Sequence, residues 1–420
     1  MKFVIEHLSK TSGRLGHLVQ QESGKQFKTP LLVQVTKGGS IPYLSRDVFD
    51  HVTQEQQVLQ MSLATMDHMK EALTHFKGGG LSGFVGYKDY PTFLTIRDPC
   101  ELIPGGFNEK DIVPLFTRRG KEPLTVQKFV SLVEAFKPDI YQGLCDADTN
   151  FESAKKRIQK SVDRTEAFME ACYEHHNNSE TLKKSCLFAP IVGGYNTFNR
   201  SQSIKHAKAK GAAMTGGYIF EGFHSYGLSA TEVKSEQIMP IMSHCLKELD
   251  MDKPFMLPGA FTPVIMLKLI QLGVDIFDSS YAYCAAANFK VLSFNFDLSK
   301  KTTTETPFID VTDECLKEDF NPLLKDCSCL ACQKHTRAYI NHLYKTSELL
   351  GPILIMIHNL HHLMQFFNTI HNCISNDNLN ELIELIEKQG GDKPVEYRIE
   401  ANTKVISRAG LGKGFADAKV

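Results

Sequence analysis

The chain has 420 residues, 42% of them hydrophobic, and a formal net charge of −1 at pH 7. That length supports a large core, organised as one big domain with an extension or as two domains. The balanced charge excludes nucleic-acid binding by overall electrostatics, so any such contact needs a local basic patch.

The first residues, "MKFVIEHLSKTSGRLG", lack the apolar core of a signal peptide. The apolar run "PILIMI" (352–357) is too short to cross a bilayer. The expectation is a soluble, intracellular chain with no integral membrane segment. Its eleven cysteines then read as buried thiols or metal ligands rather than disulfides.

"LLVQV" (31–35) reads as an early strand, and residues 36–136 show no clear period. From about residue 137 short apolar runs alternate with longer amphipathic segments. "DIYQGLC" (139–145) precedes a helix over 153–176, and "CLFAPIV" (186–192) precedes "SQSIKHAKAK". "AAMTGGYIF" (212–220) precedes a helix over 230–249, "FMLPG" precedes a helix opening at Thr262-Pro263, and "VDIFD" (274–278) follows. Strands alternating with helices at this spacing imply a parallel sheet with right-handed crossovers. Five such units fit an α/β fold of the TIM (β/α)8 barrel type, with a doubly wound sheet as the alternative.

Either fold places ligands at the C-terminal ends of the strands. Those ends carry Asp146, Asp148, Gly193, Gly194, Glu221, Gly222, Gly259 and Asp278. Acidic groups and glycines on one rim suit a polar planar ligand. The plainer reading is that the carboxylates cap helices and the glycines make turns. Residues 300–314 read as an irregular insertion, helices continue to about 389, and residues 390–420 read as a mobile tail.

"CSCLACQKHTR" (327–337) holds Cys327, Cys329 and Cys332 within six positions. Three thiols so close suit a structural zinc site, which needs a fourth ligand. A CxxC redox pair, Cys329 with Cys332, is the rival, but it leaves Cys327 without a purpose. The fourth ligand comes from Cys315, His335, His342, His358, His361, His362 or His371. A helix leaving the cluster and returning after a turn near 346, with Thr346-Ser347-Glu348 as cap, brings back His358. A turn at Gly351-Pro352 brings back a position near His371.

C-x-C-x-x-C followed by 25 residues and a histidine resembles the zinc signature of the tRNA-guanine transglycosylase family: Cys327, Cys329, Cys332 and His358. "HTRAYINHLYKTSELLG" and "HNL" resemble the residues around that signature, and "QLGVDIFD" resembles the strand carrying the family's nucleophile. The resemblance runs from about Phe3 to Gln389. It implies a TIM barrel over 1–389 with a zinc-binding helical insertion at about 315–375 near the C-terminus, and one structural Zn2+ per subunit.

The family exchanges a guanine in tRNA for a modified base, queuine in eukaryotes, at the anticodon wobble position. Its chemistry uses a nucleophilic aspartate and a second carboxylate as general acid/base. Asp278 stands at the nucleophile position, and Asp146 resembles the family's purine-reading aspartate. The acid/base motif D-S-G-G-(F/Y)-Q is matched best by "GGGLSGFVGY" (78–87), which has no Asp and no Gln. The purine-reading Gln is replaced by Val192, ahead of Gly193 and Gly194. The arginine-rich stretch that holds tRNA is here "SSYAYCAAAN".

An intact scaffold with a stripped chemical site resembles the family's non-catalytic branch. That resemblance implies a heterodimer with a catalytic subunit, made through the zinc-bound helices, with a homodimer possible for the isolated chain. It implies tRNAs with GUN anticodons as substrate, and a cytoplasmic location with peripheral contact to the mitochondrial outer membrane. With a displaced carboxylate such as Asp89 or Asp98, Asp278 would make a self-sufficient enzyme instead. Asp146 and the glycine rim would suit a zinc-stabilised queuine-binding protein. For tRNA contact the candidates are Lys334 and Arg337 beside the cluster. A second run, Lys155, Lys156, Arg157 and Lys160, reads as the solvated face of a helix.

Overall fold

The computed structural model describes residues 1–9, 13–21, 23–300 and 306–396. Eight parallel strands close a barrel in chain order: β4 (Leu31–Val35), β5 (Leu59–Ser62), β6 (Thr92–Thr95), β9 (Ile140–Gln142), β10 (Cys186–Ile191), β11 (Thr215–Phe220), β12 (Phe255–Met256) and β13 (Ile276–Asp278). The seam pairs Ile276, Phe277 and Asp278 with Leu31, Leu32 and Val33. That closure removes the doubly wound alternative, which leaves two sheet edges.

The strands are buried on both faces because both are covered. Val33, Phe93, Ile140, Phe188, Ile219, Met256 and Ile276 fill the interior. Gly217 is required there, since a Cβ would stand 2.4 Å from the Phe188 ring. An antiparallel sheet of β1 (Lys2–Leu8), β2 (Arg14–Val19) and β3 (Gln26–Thr29) closes the N-terminal end, with Leu18 and Phe27 packed into the same cluster.

The long helices are α5 (Val126–Phe136), α6 (Lys155–Asn178), α7 (Thr197–Gly211), α8 (Ser235–Glu248) and α9 (Pro263–Leu272). Those from α6 onward lie where alternation predicts them, and α5 falls in the stretch without a clear period. Four short helices, α1 (Arg46–Phe49), α2 (Leu63–Met66), α3 (Lys70–His75) and α4 (Leu81–Phe84), serve the earlier connections. A hairpin of β7 (Val113–Thr117) and β8 (Gly120–Leu124) precedes α5. Within the segment expected to be irregular, β15 (Phe308–Asp310) pairs with β14 (Lys290–Leu292), while residues 301–305 lie outside the described residues.

After α10 (Ser280–Ala287) come α11 (Leu330–Lys334), α12 (Arg337–Lys345), α13 (Leu350–Ser375) and α14 (Leu379–Lys388). The turn falls at residues 346–349, but Thr346 closes α12 instead of capping α13. The returning helix opens with Gly351-Pro352 in its first turn, where a missing N–H costs nothing. Of the expected tail, Gly391 accepts a backbone bond from Val264 and Val395 is buried. Residues 397–420 lie outside the described residues.

Candidate functional site

The hairpin of α12 and α13 brings His358 back to the three thiols. Its Nδ1 stands 3.7, 3.5 and 3.2 Å from Sγ of Cys327, Cys329 and Cys332. All four donor atoms lie within 4.8 Å of one another. Zn–S and Zn–N bonds of about 2.3 and 2.05 Å around a tetrahedral ion imply S···N edges of about 3.5 Å. The donor set therefore fits zinc and, with four protein ligands, leaves no position open for chemistry.

Hydrogen bonds to β14 fix the histidine. Nε2–H of His358 donates to the Leu292 carbonyl at 2.8 Å, which leaves the Nδ1 lone pair for the metal. Asn359 accepts from the Leu292 amide at 2.9 Å and donates to the Lys290 carbonyl at 2.9 Å. The His-Asn pair thus ties the cluster to β14. The other candidates lie elsewhere: His371 donates to the Pro30 carbonyl, His362 packs among Phe294 and Phe296, and Cys315 and His342 are exposed. His335 stacks on Tyr339.

At the barrel mouth Asp278 is fully buried. Its Oδ2 accepts from the Gly259 amide at 2.8 Å, and its Oδ1 accepts from the Ser280 amide at 3.0 Å and from the Ser280 hydroxyl. Burial pushes its pKa up to about 6, against those hydrogen bonds. Gly259 holds φ of +129°, and a Cβ there would meet the His224 ring at 2.7 Å.

Asp98, which follows β6, lies close enough for its charge to raise Asp278 further. It faces the Lys37 ammonium at 3.5 Å, and that ammonium also meets Glu101 and sits 4.5 Å above the Tyr283 ring. Burial opposes the Lys37 charge, and Asp98, Tyr283 and Glu101 together outweigh it, so its pKa is raised. The sequence match at 78–87 precedes β6; its Gly80 end lies at the opposite rim, where a Cβ would stand 3.0 Å from the Phe136 carbonyl oxygen, and its Val85 packs outside the barrel against Gly39. Asp89 also precedes β6 and lies on that rim.

The purine-pocket candidates are gathered but engaged by the chain itself. Asp146 is fully buried, with Oδ1 on Arg157 and Oδ2 on Arg164 at 3.0 Å. Arg200 donates to the Gly194 carbonyl at 2.9 Å and covers the Phe223 ring at 4.0 Å. Glu221 accepts from Gln142 at 2.7 Å and from the Tyr226 hydroxyl. The cleft between Arg97, Ala147, Asp148, His224 and Tyr226 holds about 10 Å³, the room of a single water. We expect the Arg157→Ala, Arg164→Ala double variant to lose ~3–5 kcal/mol of stability by leaving Asp146 buried and unpaired. Urea unfolding checks this, and an unchanged midpoint contradicts it.

Beside the cluster Lys334 is exposed, whereas Arg337 is held by Asp319 at 3.0 Å and by the Leu323 carbonyl at 3.1 Å. Sequence reasoning did not single out Lys37, Arg164 or Tyr283. The seven-residue spacing of Arg157 and Arg164, which sets both on one helix face, was the available signal.

A parallel eightfold barrel with a Cys3His cluster clamped to its last helices defines the class of the tRNA-guanine transglycosylases. The family model described as Queuine tRNA-ribosyltransferase matches residues 9–390, and the chain belongs to that family. It is 59% identical to the Queuine tRNA-ribosyltransferase accessory subunit 2 of Drosophila yakuba, across the full length of both chains. The proteins of that name from Drosophila melanogaster and Drosophila virilis are 58% and 59% identical, again over full length.

Proposed function

We propose that this chain is the non-catalytic subunit of a heterodimer that exchanges guanine for queuine at the wobble position of tRNAs with GUN anticodons. Its role is to pair with a catalytic subunit through the zinc-clamped helices and to position tRNA. One observation carries the reading: the scaffold and metal cluster are complete, while Asp146 is held by two arginines and Asp278 by three donors. A carboxylate whose acidic neighbour, Asp98, is taken up by Lys37 has no free acid/base partner and so no route to ribose C1′. The full-length likeness to accessory subunits supports the same reading.

The same helices would allow a homodimer of the isolated chain. The unit over 1–389 includes the zinc subdomain at about 315–375. The chain works in the cytoplasm, with peripheral contact to the mitochondrial outer membrane. No helix among the described residues is long and apolar enough to cross a membrane. Near the cluster, tRNA phosphates meet Lys334 and Arg337. Because Arg337 also holds Asp319, Lys334→Glu is the cleaner probe. We expect it to weaken tRNA binding and to lower its salt slope by about 0.9 or less; an unchanged slope removes Lys334 from the contact.

The test is exchange of labelled guanine into a GUN tRNA, by this chain alone and mixed with a catalytic subunit. Exchange is expected only in the mixture, and Asp278→Asn is expected to leave the mixture's rate unchanged within about twofold. Exchange by the chain alone, lost in Asp278→Asn, makes it a self-sufficient enzyme. Calorimetric queuine binding to a chain that never supports exchange makes it a base-binding protein.

A further inference from the structure

The run Lys155, Lys156 and Lys160 takes no part in the metal cluster or the barrel mouth. It opens α6 beside the start of α7. Asn199 of α7 donates from Nδ2 to Gln159 Oε1 at 2.7 Å, which fixes the two helix starts against each other. Lys155, Lys156, Lys160 and Lys205 are exposed, and none forms an ion pair among the described residues. Neither 153–162 nor 193–209 contains an acidic residue. In a chain of net charge −1 this is a local surplus of positive charge.

Two phenylalanines stand out of the same region. Phe151 is 58% exposed and Phe198 66%. The Phe151 ring rests edge-on against Tyr195 at 5.3 Å, and Tyr195 rests on Phe223 at 5.2 Å. Tyr195 lies three residues before Phe198, so one exposed ring comes from the loop before α6 and the other from the first turn of α7. Phe198 and Lys205, seven residues apart on α7, share one helix face. A solvated helix face explains lysines; it does not explain two large rings held in water beside them.

We propose that this face docks a single-stranded stretch of polyribonucleotide, with bases stacked on Phe151 and Phe198 and phosphates on Lys155, Lys156, Lys160 and Lys205. The proposal rests on the reading of this chain as a tRNA-handling subunit. Aromatic rings stack any base, and lysines hold phosphate without reading sequence, so the contact is sequence-tolerant. A lipid surface fits less well. It needs a continuous apolar face, whereas here Gln202 and Lys205 share the outer face of α7 with Phe198. In the barrel β9 and β10 lie opposite β13 and β4, which face α13. The patch therefore stands across the barrel from the cluster and from Lys334, as a second and independent contact.

The test uses the full chain, alone and in complex with a catalytic subunit, and fluorescence anisotropy across a salt series. Probes are a labelled oligouridylate of about a dozen residues and a GUN tRNA. Phe151→Ala with Phe198→Ala is expected to weaken oligouridylate binding about tenfold with an unchanged salt slope. Lys155→Glu with Lys156→Glu is expected to weaken it at least as much and to flatten the slope by about 1.4. Unchanged melting and complex stoichiometry establish that both pairs of changes leave the fold intact. Phe198→Ala alone, expected to weaken binding about threefold, serves if either double variant unfolds.

Wild-type affinity in these variants overturns the surface. If the wild-type complex still exchanges guanine in that case, the tRNA-subunit reading stands without it. Absence of both exchange and tRNA binding by the wild-type complex removes both. Loss of binding to phosphatidylcholine vesicles with about a third phosphatidylserine, with oligouridylate binding intact, also overturns the proposal and makes the patch a membrane contact.

Discussion

Replacing Cys329 with serine is expected to abolish zinc retention and release α13 from the barrel. The cluster joins a loop at 327–332 to a helix at 358, and β14 reaches the same histidine through Leu292. Structural zinc supplies about 10–16 kcal/mol of apparent folding free energy in small zinc domains. Here the barrel interior has its own core, so the loss is expected to be local. Metal analysis should find about one zinc per wild-type chain and under a tenth of that in the variant. Hydrogen exchange should rise over 327–375 while β4 to β13 stay protected, and a melting transition should appear below that of the barrel. Complex formation with a catalytic subunit should fall with it. Equal zinc content, or equal protection of α13, would remove the cluster from its assigned role.

Replacing Arg14 with methionine should be the most damaging change far from the cluster. Arg14 lies in β2 and reaches under the barrel to Asp275, with Nε at 2.8 Å and Nη2 at 2.6 Å from the two carboxylate oxygens. Asp275 also accepts from the Phe255 amide at 2.8 Å, and both charged partners are buried. Removing one member of such a pair costs about 3–5 kcal/mol.

The loss should depend on pH. Burial raises Asp275 to about 6 even though Arg14 opposes it, against about 3.9 in an unfolded chain. The folded state therefore keeps a proton that the unfolded state has released, and stability falls as pH rises through that window. Without Arg14 the folded pKa rises further, so the deficit grows above pH ~6 and shrinks toward pH ~4. Urea unfolding at the two ends of that range checks the sign. Equal deficits would mean that the lost packing on Phe3 and Phe255, where Arg14 lies over both rings, dominates over charge. Asp275→Asn in the Arg14→Met background should recover part of the loss.

The second half of the barrel was legible because α6, α8 and α9 are long enough to show a period between strands. The first half was not, since α1 to α4 span four to six residues each and β5 and β6 four. Elements that short are held by tertiary packing rather than by a local pattern. Three of the four cluster residues were legible because CxCxxC is a spacing that core packing does not produce. Helix geometry left the fourth open between His358 and a position near His371; the family resemblance named His358, and the turn at 346–349 brings that residue back to the thiols. The state of the barrel mouth was hidden for a different reason. Lys37 meets Tyr283 across 246 positions (283 − 37) only once the barrel has closed. Asp146 reads as a free carboxylate until α6 folds back over it.

The seam between β4 and β13 also sets a timetable for synthesis. His371, near the end of α13, bonds to the carbonyl of Pro30, 341 positions earlier. At about 5–20 residues per second, a ribosome needs roughly 17–70 s to deliver the later partner. Until β13 (Ile276–Asp278) emerges within that interval, "LLVQV" is an apolar strand with one edge unpaired, the kind of segment that seeks other chains. Production of this protein should therefore respond to chaperone supply and to translation speed across 31–371. A transcript that stops short of α13 should yield aggregate rather than a smaller barrel.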